Sequence, residues 1–180
     1  FGLDNTNHLI GKYRGMTGLK TGVTDASGYC LAATASRDDL ELISVILGSD
    51  SLNLRFTESS KILDYGFSNY EILKINKKGE IAGNVNVKKG LDISVPAAYD
   101  NNYEILLKRG QKDKITEEIR LPEFLDAPVK TGDNSGEVAL LLDGKVIKSI
   151  PLITTGEVQK AVWLKMFWRM TVHWFSLARK

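Results

Sequence analysis

The sequence predicts three parts: an α/β part built from an antiparallel sheet and one helix, a small all-β sandwich, and a C-terminal amphipathic helix. Three strand-like runs joined by short polar turns and followed by one helical segment indicate the first part. Short apolar runs broken by glycine, asparagine and aspartate indicate the second part. All three tryptophans lie near the C-terminus and mark the third part. We place the boundaries at 1–69, 70–155 and 156–180.

The first part contains strand-like runs at residues 16–24, 29–35 and 40–47. The segments between them, Asp-Ala-Ser-Gly and Ser-Arg-Asp-Asp, have lengths typical of turns in an antiparallel meander. Residues 52–67 then carry apolar side chains at helical spacing and end near a glycine. We expect this helix to cover one face of the sheet, and we expect an uncovered face to expose apolar side chains.

The middle of the chain shows seven short strand-like runs, spaced as in a small β-sandwich. Asp143-Gly144 lies between the last two runs and predicts a two-residue hairpin turn. No cluster of acids, bases and nucleophiles stands out in this part, so we expect it to be a spacer that lifts the first part from a surface. A protein-binding role is the alternative. The runs are 70–75, 81–87, 93–95, 103–107, 115–121, 137–142 and 145–150.

The last segment, from Glu157 to Lys180, has two distinct faces when it is placed on a helix. A narrow polar stripe carries the cationic side chains, and apolar residues occupy most of the remaining circumference. A charged stripe through the middle disfavours a membrane-spanning helix and is typical of a helix that lies in the lipid interface. We therefore predict that this segment contacts a membrane surface; a core or oligomer helix is the alternative. The stripe consists of Lys165, Arg169, His173, Ser176 and Lys180.

The composition argues against several kinds of site. The formal net charge is +2 and the lysines are interspersed with acids, so we expect no nucleic-acid-binding surface. The single cysteine, Cys30, lies in a strand of small residues and is expected to be a buried apolar side chain. A reactive thiol would need an activating partner. Neither His8 nor His173 has a second ligand at metal-binding spacing, so we expect no metal and no cofactor.

The most informative motif is the Lys-Thr-Gly triplet of residues 20–22, on the first predicted strand. An ammonium and a hydroxyl on an edge strand, beside a glycine that lets a ligand backbone approach, suit the binding of a peptide carboxylate. A phosphate-binding loop is excluded because a leucine separates the preceding glycine from the lysine. The same triplet recurs at residues 130–132 among turn-forming residues, where we predict a solvated loop without chemistry.

The segment Gly-Leu-Lys-Thr-Gly-Val-Thr-Asp-Ala-Ser-Gly-Tyr-Cys-Leu at residues 18–31, with its continuation at 37–48, resembles the serine D-alanyl-D-alanine carboxypeptidases among the low-molecular-mass penicillin-binding proteins. The likeness extends over nearly the whole chain and includes that family's β-rich second domain and C-terminal membrane helix. It implies a penicillin-binding or serine β-lactamase-like fold for the first part. It also implies removal of the terminal D-Ala from peptidoglycan stem peptides through a serine acyl-enzyme.

The same resemblance implies roles for the residues of the first strand. Lys20 and Thr21 would face the cleft and bind the terminal carboxylate of the substrate, and Gly22 would let the ligand pair with the strand edge. The backbone N–H of Val23 is the candidate contribution to the oxyanion hole.

One further candidate lies on the predicted helix. Arg55 falls where the family places an arginine that helps to hold the substrate carboxylate. The alternative is an exposed helical arginine paired with Glu58 or with solvent. Residues 51–53 spell the family's Ser-x-Asn motif, but they follow Lys20 in the chain whereas the family's motif precedes it. We predict the start of a helix there instead.

The family's chemistry also needs a Ser-x-x-Lys motif, and no lysine of this chain has a serine three residues before it. We therefore expect the chain to be the C-terminal part of a longer carboxypeptidase and to be inactive alone. The expected partners are a peptidoglycan stem peptide, β-lactam antibiotics and a membrane surface, on the outer face of the cytoplasmic membrane in a bacterial cell envelope. The alternatives are a penicillin-binding transpeptidase, a β-lactamase and a non-catalytic envelope-binding module.

Overall fold

A computed structural model of the chain describes residue 2 and residues 5–161. The chain divides into two compact units. The first comprises the residues up to Leu73 together with Ile105–Lys112, and the second comprises Lys74–Glu104 and the described residues from Asp113 onward. A short segment from the middle of the sequence thus belongs to the first unit.

The first unit contains a three-stranded antiparallel sheet and one helix. The sheet has the order β1 (Met16–Thr24), β2 (Gly28–Arg37) and β3 (Leu40–Ser49). The helix α1 (Leu52–Asn69) begins after Ser51, whose side-chain oxygen accepts a hydrogen bond from a backbone N–H in the first turn. The three predicted strands, the helix and its start near position 51 are confirmed. The strands are each as long as predicted or a few residues longer.

One face of the sheet packs against α1 because side chains of β3 alternate between its two faces. Leu42 and Ile46 pack into the apolar core beneath the helix, and the buried hydroxyls of Ser44 and Ser59 lie 2.6 Å apart, joining β3 to α1. Three side chains that alternate with these residues point away from the helix and are 58–76% exposed, as expected for an uncovered apolar face. They are Ile43, Val45 and Leu47.

The remaining strands confirm the all-β prediction for the middle of the chain. Two of them pair as a two-stranded ladder, β4 with β7, and six others form one sheet in the order β8-β10-β11-β6-β5-β9. Asp143 and Gly144 join β10 to β11 with positive φ angles of 50° and 78°, which confirms the predicted hairpin turn. The strands are β4 (Tyr70–Asn76), β5 (Ile81–Lys88), β6 (Ser94–Tyr99), β7 (Tyr103–Lys108), β8 (Ile115–Arg120), β9 (Phe124–Asp126), β10 (Asn134–Leu142) and β11 (Lys145–Thr154).

The strand pairing of the second unit differs from that of the predicted sandwich, which has two separate sheets. In the described part of the chain, six strands are joined edge to edge in one sheet, and side chains from one face of it form the main core of the second unit. Sequence analysis missed β9, a three-residue strand that pairs in parallel with β5. The core side chains that are at most 1% exposed are Val85, Ala97, Val138, Leu140, Ile150 and Leu152.

In the C-terminal segment, the structure differs from the predicted start of the helix. The predicted helix does not begin at Glu157, because Val129 and Val158 exchange two backbone hydrogen bonds of 2.9 Å and Lys160 forms a β-bridge with Gly90. Val158 is only 3% exposed, and its burial in a second apolar cluster favours the extended backbone over the helix. The rest of the predicted helix, from residue 162, lies outside the described residues.

No helix in the part of the chain that the structure describes is both long and apolar enough to cross a membrane.

Tyr13 gives the first unit a pH-dependent contribution to stability. Its hydroxyl donates a 2.7 Å hydrogen bond to Asp64 Oδ1, and the guanidinium of Arg37 lies 4.5 Å from its ring centre. Burial, followed by that hydrogen bond, raises the pKa of Tyr13 from 10.0 to about 12. A raised folded-state pKa means that the contribution is fully present below about pH 10 and is lost as the pH rises through about 12.

We therefore expect the stability advantage of the wild-type chain over Tyr13→Phe to shrink between about pH 10 and pH 12. Urea denaturation of both proteins across that interval measures the difference in unfolding free energy. A difference that stays constant with pH would contradict the raised pKa.

Candidate functional site

The Lys-Thr-Gly triplet of residues 20–22 lies in the second half of β1, which forms one edge of the three-stranded sheet. Among the described residues, β2 pairs with one side of β1, and no strand pairs with the other side. An open strand edge offers backbone N–H and C=O groups to an extended peptide, which can add to the sheet as a further strand.

Lys20 and Thr21 have different surroundings. The side chain of Lys20 is exposed, and its Nζ donates a 2.8 Å hydrogen bond to the backbone oxygen of Thr21. Thr21 is only 9% exposed, and its Oγ1 lies 2.8 Å from Oγ1 of Thr6. Successive strand residues point to opposite faces, and Thr21 lies opposite the buried Leu31 on the face that packs against α1. The ammonium is therefore open to an anion, whereas the hydroxyl is hydrogen-bonded within the protein.

Gly22 leaves space beside the strand edge. A Cβ built on Gly22 would meet only Cys30 Cβ, at an ordinary contact distance of 3.9 Å, and the backbone φ is not in the left-handed region. The fold of the described residues therefore does not itself require glycine here. Val23 follows with a side chain that is 60% exposed, opposite Tyr29 in the ladder.

Arg55 reaches β1 and β2 from the helix. It is 5% exposed, and its Nη1 donates hydrogen bonds to the carbonyl oxygens of Gly22 at 3.1 Å and Cys30 at 3.2 Å. Its guanidinium lies 4.8 Å from the ring centre of Phe56 and 5.5 Å from that of Tyr29. The guanidinium therefore holds the backbone of the Lys-Thr-Gly strand in place from behind.

The alternative reading of Arg55 as an exposed arginine paired with Glu58 is wrong. Glu58 forms its ion pair with Lys61, at 3.1 Å, on the exposed side of the helix. Arg55 lies on the buried side of the same helix, next to Phe56, whose ring packs against the sheet.

Sequence analysis missed a residue that fixes the start of β1. Asn7 is 2% exposed; its Nδ2 donates to Gly18 O at 3.1 Å, and its Oδ1 accepts from the backbone N of Leu9 at 3.1 Å. Together with the contact between Thr6 and Thr21, this bond ties the N-terminal segment to the strand just before the triplet. The residues around Asn7 form irregular turns, so no periodic pattern in the sequence could indicate this role.

The second Lys-Thr-Gly triplet lies in a turn, as predicted. The backbone N of Lys130 donates to Asp133 Oδ2 at 2.7 Å, and Gly132 has a φ of 90°. All three residues of the triplet are exposed. They directly follow Val129, which forms a β-bridge with Val158. This triplet provides no strand edge comparable to that of β1.

The arrangement on β1 can bind a carboxylate through Lys20 and can pair with an extended peptide along the strand. Because Asn7 binds Gly18, just before the triplet, and Arg55 binds Gly22, its last residue, the strand is positioned before any ligand arrives. Preorganised groups of this kind bind and orient a ligand at a smaller entropic cost.

Comparison with known proteins agrees with the family resemblance of the sequence. The family described as the C-terminal domain of penicillin-binding protein 5 matches residues 70–160, and the D-alanyl-D-alanine carboxypeptidase family matches residues 1–51. The chain is 31% identical over 175 residues to the D-alanyl-D-alanine carboxypeptidase DacF of Bacillus subtilis, and this alignment covers 97% of this chain and 45% of that protein. It is 32% identical over 178 residues to DacC of Escherichia coli, with coverage of 96% and 44%.

The fold agrees as well. The crystal structure of penicillin binding protein 5 from Haemophilus influenzae superimposes with a TM-score of 0.74 and 32% sequence identity, over 87% of this chain and 46% of that one. The chain therefore spans less than half the length of the relatives it matches. The two family matches cover the Lys-Thr-Gly strand and the β-rich unit, so the chain belongs to the low-molecular-mass penicillin-binding proteins of the D-alanyl-D-alanine carboxypeptidase family.

Proposed function

We propose that this chain supplies the carboxylate-binding strand of a serine D-Ala-D-Ala carboxypeptidase, which removes the terminal D-Ala from peptidoglycan stem peptides. The observation that carries the proposal is the open edge of β1, where an exposed ammonium lies beside a glycine that the fold does not itself require. The resemblance of the strand and the names of the relatives support the same activity.

In this proposal the end of the stem peptide lies along β1. The ammonium of Lys20 binds the terminal carboxylate, and Gly22 admits the peptide backbone to the strand edge. Thr21 points to the opposite face of β1 from Lys20, so its hydroxyl binds the same carboxylate only after it exchanges its hydrogen bond to Thr6 and turns toward the strand edge. The backbone N–H of Val23 donates to the carbonyl oxygen of the scissile bond as it becomes an oxyanion.

The covalent step uses the serine of a Ser-x-x-Lys motif, and this chain does not contain that motif. The serine oxygen attacks the carbonyl carbon, the terminal D-Ala leaves with a proton on its amine, and water then hydrolyses the ester. We propose that a part of the protein outside this chain supplies this motif, since the chain spans less than half of its relatives, and that β-lactams acylate the same serine. Arg55 positions β1 by binding the Gly22 and Cys30 carbonyls and, by resemblance, contributes charge to the carboxylate site.

In this proposal the rest of the chain positions the strand in the cell envelope. We propose that the β-rich unit is a spacer and that the segment ending at Lys180 lies on the outer face of the cytoplasmic membrane. The cationic stripe and the three tryptophans of that segment support the membrane contact.

Fluorescent penicillin tests the proposal. The complete gene product should become labelled, and the label should survive denaturation because it is an ester on serine. The 180-residue chain should remain unlabelled under the same conditions. A gene with no Ser-x-x-Lys upstream, or a complete product that stays unlabelled, would favour the alternative function, a non-catalytic envelope-binding module. The absence of the motif from this chain is the observation that favours this alternative.

A further inference from the structure

The last described residues of the chain lie beside the hairpin that joins β5 to β6. Residues 88–93 form the end of this hairpin, and we call them the hairpin tip. The backbone N of Leu91 donates a 2.8 Å hydrogen bond to Gln159 O, and the backbone N of Ala161 donates a 2.7 Å hydrogen bond to Lys89 O. These backbone bonds fix the chain against the hairpin tip.

Side-chain packing strengthens the same attachment. Val158 is buried in an apolar cluster with Val87 and Val95, the residues on either side of the hairpin tip. A Cβ built on Gly90 would lie 2.6 Å from Val158 Cγ1, so a larger residue at this position would push the two segments apart. Ala161 is therefore held at one end of the sheet, next to the hairpin tip.

The sequence that follows Ala161 is the segment for which a membrane contact is proposed above. Its first tryptophan, Trp163, comes two residues after Ala161. One residue spans at most about 3.6 Å of extended chain, and charges interact over about 8 Å at physiological ionic strength. If this segment lies on a bilayer from its first tryptophan onward, the charged side chains at the hairpin tip are close enough to interact with lipid headgroups.

The side chains at the hairpin tip suit such a surface. Ile93 is 68% exposed, which is unusual for a large apolar side chain at a hairpin end. Lys89 and Lys160 are both exposed, and the β-bridge between Gly90 and Lys160 brings them to neighbouring strands. An apolar side chain flanked by ammonium groups can enter the interfacial region while the ammonium groups bind lipid phosphates.

The charges at this end of the unit are positive by a small margin, three lysines against two aspartates. Further along the chain, Glu157 and Lys130 lie beside the bridge between Val129 and Val158 and carry opposite charges. The small excess means that the hairpin tip adds to the binding of the segment after Ala161 and does not replace it. The five charged residues at the tip are Lys88, Lys89, Asp92, Asp126 and Lys160.

We propose that the hairpin tip contacts the surface of an anionic phospholipid bilayer, with Ile93 between the headgroups and Lys89 and Lys160 on lipid phosphates. This inference rests on the membrane contact in the proposed function and extends it from the C-terminal segment to the β-rich unit. The second unit then meets the bilayer with the β5–β6 end of its sheet. It does not depend on the proposed carboxypeptidase activity.

Cosedimentation of the 180-residue chain with phospholipid vesicles tests the proposal. The vesicles contain either phosphatidylcholine alone or equal parts of phosphatidylcholine and phosphatidylglycerol. Lys89→Ala/Lys160→Ala should weaken binding to the anionic vesicles by about tenfold or more and leave binding to the neutral vesicles nearly unchanged. Asp92→Asn removes a negative charge from the same place and should strengthen binding to the anionic vesicles by up to about fivefold.

Matched variants at the other end of the sheet locate the contact. Lys145 begins β11, whose ten residues put it about 30 Å from Thr154, and Lys114 lies at the same far end, 3.8 Å from Asp143. Lys114→Ala/Lys145→Ala should therefore bind both kinds of vesicle as the wild type does. Circular dichroism of each variant confirms folding.

The apolar part of the contact has its own pair of variants. Ile93→Ala should weaken binding to neutral and anionic vesicles alike, whereas Ile147→Ala, at an exposed position near the far end of β11, should not.

The outcomes separate this inference from the proposal on which it rests. A wild-type chain that binds neither vesicle would overturn both. Wild-type binding that Lys89→Ala/Lys160→Ala leaves unchanged, or that the two double variants weaken equally, would overturn the contact at the hairpin tip alone. The penicillin labelling of the complete gene product does not affect either result.

Discussion

Replacement of Lys20 by alanine in the complete gene product should lower kcat/KM for a D-Ala-D-Ala peptide by roughly 10- to 150-fold. The estimate follows from the loss of one charge-assisted hydrogen bond, worth about 1.5–3 kcal/mol, at about 1.4 kcal/mol for each factor of ten. The melting temperature should change little, because the Lys20 side chain is exposed and, among the described residues, donates a hydrogen bond only to the neighbouring backbone oxygen. Steady-state kinetics and thermal melts of the purified variant measure both quantities.

The second triplet provides the matched control. Lys130 belongs to the same Lys-Thr-Gly sequence but lies in a turn of the other unit, so Lys130→Ala should keep full activity. A folded Lys20→Ala enzyme with unchanged kcat/KM would remove Lys20 from the mechanism. Equal losses in the two variants would show that the effect does not depend on the strand edge.

The strands and the helix of the first unit could be predicted because one face of the sheet is covered and the other is not. In β3 this gives the strict alternation in which Ser44 is buried while Ile43 and Val45 are exposed. The three-residue strand β9 has no room for such a pattern, and it exists through its pairing with β5. The extended backbone at Val158 likewise depends on a distant partner, so local helical periodicity predicted the wrong conformation there.

The same distinction between locally determined and long-range features applies to the residues of the candidate site. The sequence could indicate Lys20 as an anion-binding residue because the chemistry belongs to the triplet itself and the strand is regular. It could not indicate that Thr21 is bonded to Thr6, or that Asn7 holds Gly18, because irregular turns bring these residues together. The contacts of Arg55 depend on how α1 packs on the sheet, which only the three-dimensional structure shows.

Arg55→Ala should destabilise the protein by about 2–4 kcal/mol, because it leaves two carbonyl oxygens without their donor and removes packing against Phe56. Cys30 lies in an irregularity of the β2–β3 register, between Tyr29 and Leu31, and pairs with Gly22 in the β1–β2 ladder, so Arg55 binds the two partners of one cross-strand pair. We expect a lower denaturant midpoint with an unchanged m-value in urea titrations. Arg55→Lys should recover part of the loss, since an ammonium can donate to one of the two carbonyls.

Arg120 is the control for the general effect of removing an arginine. Its ion pairs with Glu118 and Glu137 lie at the exposed surface of the other unit, so Arg120→Ala should leave the denaturant midpoint nearly unchanged. In the complete gene product, the neutral variant Arg55→Gln and the cationic variant Arg55→Lys separate two roles. If Arg55 only positions β1, kcat/KM should follow stability in both variants; if its charge also acts on the carboxylate, KM should be raised in Arg55→Gln and not in Arg55→Lys when the two are compared at equal stability. An Arg55→Ala chain as stable as the wild type would show that the two carbonyl contacts do not hold the strand.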